Sequence, residues 1–216
     1  MTLIAQQMKT LLATLALLCG VALAQAQSNQ AAGAQDGPAA LVLDISTQVI
    51  EAVKADKSVQ AGSPAAVQKL VEARILPHVE FEKTTRLAVG RGWRDASPEQ
   101  RTRLVEEFRT LLVRTYAGAL SSARDHKVRL LATRAQGDAD VIVRTQVVAP
   151  GTDPIALDYR LEKTDAGWKI YDVGVLGVWL VQTYQTSFAN EISQGGIDGL
   201  IRSLAARNRQ NAEKQS

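Results

Sequence analysis

Apolar side chains recur at spacings near four through the first half of the chain, and each such run predicts a helix with one buried face. Leu41, Ile45, Val49 and Val53 define the first, expected to end in the solvated Lys54–Ser58 region. Ser63-Pro64 supplies an N-cap followed by proline at the first helical position, and Val67, Leu70, Val71, Arg74 and Ile75 carry a second helix to Pro77. A short third helix is expected over about Phe81 to Val89, closed by Gly90 and Gly92. The best-marked helix opens at Ser97-Pro98-Glu99-Gln100, a cap, a helix-starting proline and a glutamine placed to complete a capping box. Its apolar face runs through Leu104, Phe108, Leu111, Leu112, Thr115, Tyr116, Ala119 and Leu120, while Arg101, Arg103, Glu107, Arg109 and Arg114 wet the remainder.

From about Lys127 the period drops to two. Val128, Leu130 and Ala132 alternate with Arg129, then Val141, Val143 and Thr145 with Arg144 and Gln146, then Ile155, Leu157, Tyr159 and Leu161 with Asp158, Arg160 and Glu162. Turn signals separate the strands at Gly137-Asp138, at Pro150 to Pro154 and at Thr164 to Gly167, and a fourth strand is expected from Trp168 to Val175. Short links favour an antiparallel meander with one solvated face. Two helices then close the chain. Val178, Val181, Tyr184, Phe188 and Ile192 form one stripe and, after Gly195-Gly196, Ile197, Leu200, Ile201 and Leu204 form another. This order predicts an α+β domain: an antiparallel sheet of four strands, or of five, with helices covering one face.

The ends change the picture of where the chain works. An apolar run from Leu11 to Leu18 followed by Ala22, Ala24 and Ala26 has the layout of a secretory signal peptide and is too short to span a bilayer. Residues 1–26 are therefore expected to be removed, with Met8-Lys9 a more usual start than Met1, and the product is expected to be exported. Residues 27–37 are expected to be a disordered leader, 38–208 a single domain, and 209–216 a frayed tail. Cys19, the one cysteine of the sequence, falls inside the signal, and bulky Leu17 and Leu18 before it argue against lipidation. The mature chain then has no disulfide framework and no cysteine-ligated metal. A net charge of +3 over 216 residues is dispersed among acids and gives no basic stripe for nucleic acid.

Candidate chemistry is thin. The two histidines, His78 and His126, have no partner at metal-ligand spacing and no H-E-x-x-H surrounds them. Gly90-Arg91-Gly92 lacks the strand and third glycine of a dinucleotide loop, and neither a P-loop nor a G-x-S-x-G is present. The acidic pairs Glu106/Glu107 and Asp138/Asp140 are not held by their spacing in a cleft. No metal, cofactor or catalytic residue is expected. What the sequence supplies is apolar surface on strands and helices, which ordinary core packing would also explain.

Ile75-Leu76-Pro77-His78 with Phe81, Arg86-Leu87-Ala88 with Gly90 and Trp93, the capped helix with Phe108, Leu112, Thr115 and Tyr116, Gly167-Trp168-Lys169 with Tyr171-Asp172-Val173, and Gly177 with Phe188 occur in an order that resembles the MlaC, or toluene-tolerance, family of periplasmic phospholipid-binding proteins. The stretch Gly196 to Leu204 extends the likeness over nearly the whole mature chain, with Trp179 a departure where the family more often has a small polar residue. The resemblance implies a phospholipid ligand whose tails lie in an apolar cavity between sheet and helices. It implies walls at Trp93, Phe108, Leu112, Tyr116, Val141, Val143, Leu157, Tyr159, Val173, Val178 and Val181. Arg86, Arg91, Arg94 and Arg101 would meet the headgroup or an acidic partner. It further implies an inner-membrane ABC transporter with its lipid-binding ring protein and an outer-membrane lipoprotein–porin complex as partners, transient approach to membranes, and a role in outer-membrane lipid asymmetry. Two other readings stay open: an enzyme using the cavity for a small apolar substrate, which would need a polar pair such as Tyr159 with Asp172 pointing inward, and an adaptor that binds protein only.

Overall fold

A computed structural model describes residues 37–214; the expected signal peptide, most of the expected leader and the last two residues lie outside the described residues. Helix α1 covers Pro38–Ala55. Asp56 then turns extended, and its carboxylate accepts the Ser58 and Val59 amides to start the single turn α2, Lys57–Gln60. Helix α3, Pro64–Arg74, begins on its proline, since the Ser63 side chain makes no capping bond; a 3-10 turn over Leu76–His78 follows. Helix α4, Phe81–Val89, stops at Gly90, whose φ of 64° suits glycine. Gly92, expected to help close α4, instead opens the short α5, Gly92–Asp95. The predicted capping box is present at the start of α6, Pro98–Ser121: the Gln100 amide donates to Ser97 Oγ at 3.2 Å and the Ser97 amide to the Gln100 side-chain oxygen at 2.9 Å. Such a box stabilises a helix start by about 1 kcal/mol.

The strands are β1, Lys127–Ala135, β2, Asp140–Val148, β3, Ile155–Thr164, β4, Gly167–Val175, and β5, Val178–Trp179. They form one five-stranded antiparallel sheet in sequence order, β1-β2-β3-β4-β5. The fifth strand is a correction to the helical stripe read from the sequence. Val178 sits in β5 paired with Val175, not in the last helix, which starts at Leu180. Below β5 the edge of β4 is met by Val79, and the Glu80 amide donates to the Ile170 carbonyl at 2.8 Å.

Helix α7, Leu180–Lys214, is two helices joined at Gly196, whose φ of 64° and ψ of −168° break the regular path. It continues past the point where the tail is expected to fray. The reason lies in Asn208, which is buried and donates from Nδ2 to the Glu107 carbonyl at 2.9 Å and to Glu107 Oε2 at 2.7 Å, while Arg114 donates to the Asn208 carbonyl. A buried side-chain amide that donates twice to Glu107 anchors the last turns to α6.

The apolar interior divides in two. One cluster joins α1, α2 and α3 to the sheet through Val42, Ile45, Val49, Val67, Val143 and Leu161; the other joins α4, α5, α6 and α7 through Ala88, Trp93, Leu104, Phe108, Phe188 and Leu200. Helix α6 serves both, giving Leu104, Phe108 and Leu111 to the second cluster and Ala117 to the first.

Candidate functional site

Strand register sorts the inner face of the sheet into rows. Nearest the closed end lie Ala135, Val141, Leu161 and Ile170, then Thr133, Val143, Tyr159 and Val173. Beyond them come Leu130, Thr145, Leu157, Val175 and Val178, and then Val128, Val147 and Ile155. The β2, β3 and β4 members of the first two rows belong to the cluster under α1, with Val143 and Leu161 fully buried, whereas Thr133 and Ala135 on the edge strand β1 are exposed. Tyr159 marks the boundary: its phenol meets the Ser46 hydroxyl of α1, and burial pushes it up to about 12 against the opposing pull of that hydrogen bond. Past this line several apolar side chains are open to solvent, although Thr145 among them stays buried. Leu130 is 43% exposed, Ile155 41%, Val175 36% and Val178 63%. Thr145, the polar member of the third row, is buried with its hydroxyl spent on the Leu157 carbonyl at 2.6 Å, so it offers this surface no free polar group.

The helical side is aromatic. Phe108 lies edge-on to Tyr184 at 4.8 Å and to Phe188 at 5.1 Å between ring centroids. Two turns on from Phe108, α6 carries Tyr116 outside both clusters, 40% exposed. Burial first, and the neighbouring Tyr116 second, raise the Tyr184 phenol above its ordinary range. Of these aromatics Phe108 and Phe188 are fully buried in the second cluster, and Tyr116 is the one with a large exposed surface.

The opposite face of the sheet is polar. Arg144 pairs with Asp158 at 3.4 Å, and Lys83 from α4 reaches both Asp140 and Glu162. Asp172 is 3% exposed, receives the Val173 and Val181 amides on Oδ1 at 2.9 and 3.0 Å, and pairs through Oδ2 with Arg160 at 3.1 Å. Burial raises its carboxyl above the ordinary value despite these donors. Tyr159 pairs across the strands with Val173, whereas Arg160 pairs with Asp172, so Tyr159 and Asp172 lie on opposite faces and do not form the inward polar pair an enzyme reading would need. Trp179, the departure noted in the sequence, also belongs to the outer face, its ring under the Arg160 guanidinium at 4.0 Å from the centroid.

Of the expected wall residues, Leu157 and Val178 lie in the open rows and Tyr159 and Val173 in the row beside them, while Leu112 and Tyr116 are on α6, Leu112 against the second cluster and Tyr116 exposed. Val141 and Val143 are in the first cluster, Trp93 and Phe108 in the second, and Val181 is buried at the start of α7. Arg86, Arg91 and Arg94 are exposed and make no ion pair among the described residues. Arg101 is different. It donates to the Trp93 carbonyl at 3.1 Å and stands 5.5 Å over the Trp93 ring, fastening α5 to α6 beside a surface groove of about 460 Å³ that also holds Glu82, Glu106 and Arg109. Leu130, Val175 and Ile155 were not singled out in the sequence, although each occupies an inward position of its strand's alternation.

An α+β domain that leaves half of an inner sheet face apolar and open, with its charges on the other face, is a binding protein for an apolar ligand. The chain belongs to the MlaC family: residues 43–206 match the family described as MlaC protein. It is 26% identical over 172 residues, 78% of this chain and 80% of the relative, to the intermembrane phospholipid transport system binding protein MlaC of Haemophilus influenzae. It is 23% identical over 162 residues, 74% of this chain and 75% of the relative, to the toluene tolerance protein ttg2D of Pseudomonas putida. Among solved structures, a phospholipid-binding protein from Ralstonia solanacearum in complex with a phospholipid is 42% identical and matches with a TM-score of 0.77, covering 81% of this chain and 98% of its own.

Proposed function

We propose that this protein is a periplasmic phospholipid carrier of an Mla-type intermembrane transport route. The observation that carries the reading is the 42%-identical structural neighbour described with a phospholipid bound, taken with the uncovered apolar rows here. Acyl tails lie against Leu157, Val175 and Val178, with Tyr159 and Val173 at the inner limit, while the headgroup stays toward water. Such a site asks little of the headgroup, since no buried cation or donor set waits for it there. At ~0.8 kcal/mol per buried methylene, two acyl chains offer a gross term of roughly 20 kcal/mol before ordering costs, so spontaneous loss into water is slow. Handover then needs a partner with an equally dry path, namely an inner-membrane ABC transporter with its ring protein on one side and an outer-membrane lipoprotein–porin complex on the other. The exposed Arg86, Arg91 and Arg94 are the contact for an acidic partner or headgroup. The chain itself transfers lipid and catalyses no reaction.

Native mass spectrometry of protein purified without detergent tests this. Diacyl phospholipid co-purifying near stoichiometrically is expected. Lipid-free protein that also takes up none from phosphatidylethanolamine and phosphatidylglycerol vesicles would refute the carrier reading.

A further inference from the structure

The rim of the open rows is held from behind. Val178 and Trp179 are neighbours in the two-residue strand β5, and strand alternation sends Val178 to the inner face and the Trp179 ring to the outer one. The ring lies flat on β4 because its cross-strand partner is Gly174; a Cβ there would stand 3.1 Å from the indole. Lying flat, it meets the Arg160 guanidinium from β3, and Arg160 is paired with Asp172, which receives the Val181 amide in the first turn of α7. One carboxylate therefore ties together β3, β4, β5 and the start of the last helix. The turn between the strands needs such support. Leu176 has a φ of 52°, a conformation costly for a side chain with a Cβ, and at 67% exposed it has little packing of its own.

We propose that the Arg160–Trp179–Asp172 clasp on the outer face positions the Val175–Val178 rim, so that retention of acyl chains on the inner face is set from the opposite side of the sheet. The inference rests on the carrier reading above. These three are positioning residues: none touches the ligand surface, and each acts through Val178 and the first turn of α7. With the ring removed, β5 keeps only two backbone-paired positions, Val178 is free to swing away from Val175, and the open rows widen at their mouth.

The test uses the mature chain loaded with pyrene-labelled phosphatidylethanolamine and diluted into unlabelled phosphatidylethanolamine and phosphatidylglycerol vesicles. Trp179→Ala is expected to release lipid about tenfold faster than the parent, the scale of a partly desolvated cation–π contact together with its packing. Arg160→Met, which leaves Asp172 its two backbone donors, is expected to move the same way by a smaller factor, and Trp179→Phe to recover most of the slow release. Asn208→Ala, which loosens the far end of α7, is the control for general destabilisation and is expected to leave release unchanged. Parent-like release from both Trp179→Ala and Arg160→Met overturns the proposal, as does an equal acceleration in Asn208→Ala. If the parent neither carries nor accepts lipid, the carrier reading itself fails, whatever the variants do.

Discussion

The two halves of the sheet's inner face are built from the same alternation of apolar and polar residues and end in opposite conditions. Under α1, Val143 and Leu161 are completely buried; two rows away, Leu130 and Val178 face outward to solvent, although β-branched and leucine side chains fill both halves. The difference comes from the helices. Helix α1 packs over β1 and β2, whereas α6 and α7 spend their apolar faces mainly on each other and on α4. One half is closed core and the other open apolar surface because of what stands over them, and the proposed tail site lies on the open one, which gives the comparison a direct experimental form.

Removing side-chain volume in the closed half has the largest expected effect. Leu161→Ala is expected to cost about 2–5 kcal/mol in chemical denaturation, with lipid content falling only as the folded fraction falls. A loss well under 1 kcal/mol would mean that the closed half is not tightly packed. In the open half, Leu157→Arg is expected to abolish phospholipid recovery while changing stability by about 1 kcal/mol or less, because a charge on the tail surface is penalised only when tails cover it. Extracted lipid and a melting curve from the same preparation decide this, and undiminished lipid in folded protein would remove Leu157 from the site. The smallest effect concerns the boundary. Tyr159 and Tyr171 are each pushed up to about 12, mainly by burial. For a phenol with a raised folded value, the stabilising contribution is full below the ordinary 10.0 and is lost as pH rises through about 12. Alkaline difference spectroscopy should show these two phenols ionising late and stability declining across that window. Early ionisation of Tyr159, read from a Tyr159→Phe difference, would place its ring in solvent.

Much of the fold could be read from spacing. The capped helix, the turn positions, the strand alternation of β2 and β3 and the glycine break in the last helix all follow from local chemistry. What escaped notice did so for physical reasons. A two-residue strand has no measurable period, and Val178 and Val181 stand three apart, so β5 passed for the first turn of a helix. Nothing in the sequence marks Asn208, the last residue of the expected domain, as an anchor, because its partner Glu107 lies far away along the chain and only the fold brings the two together. The site was half legible. Leu157 and Tyr159 could be chosen as inward apolar positions, but nothing along a strand distinguishes Leu161, which is covered, from Leu157, which borders the open rows.

The register shift in β1 between Leu130 and Ala132 bears on how this molecule behaves among its own copies. While the far edge of β4 is capped by β5 and Val79, β1 ends the sheet with one side of its backbone available to another chain. The bulge at Leu131 kinks that border, and exposed Lys127, Arg129 and Arg134 line it with like charge. A stranger's strand would find neither a straight ladder to join nor a neutral approach to it. The longer of the two edge strands among the described residues is thus bent and positively charged, and both features oppose addition of a further strand.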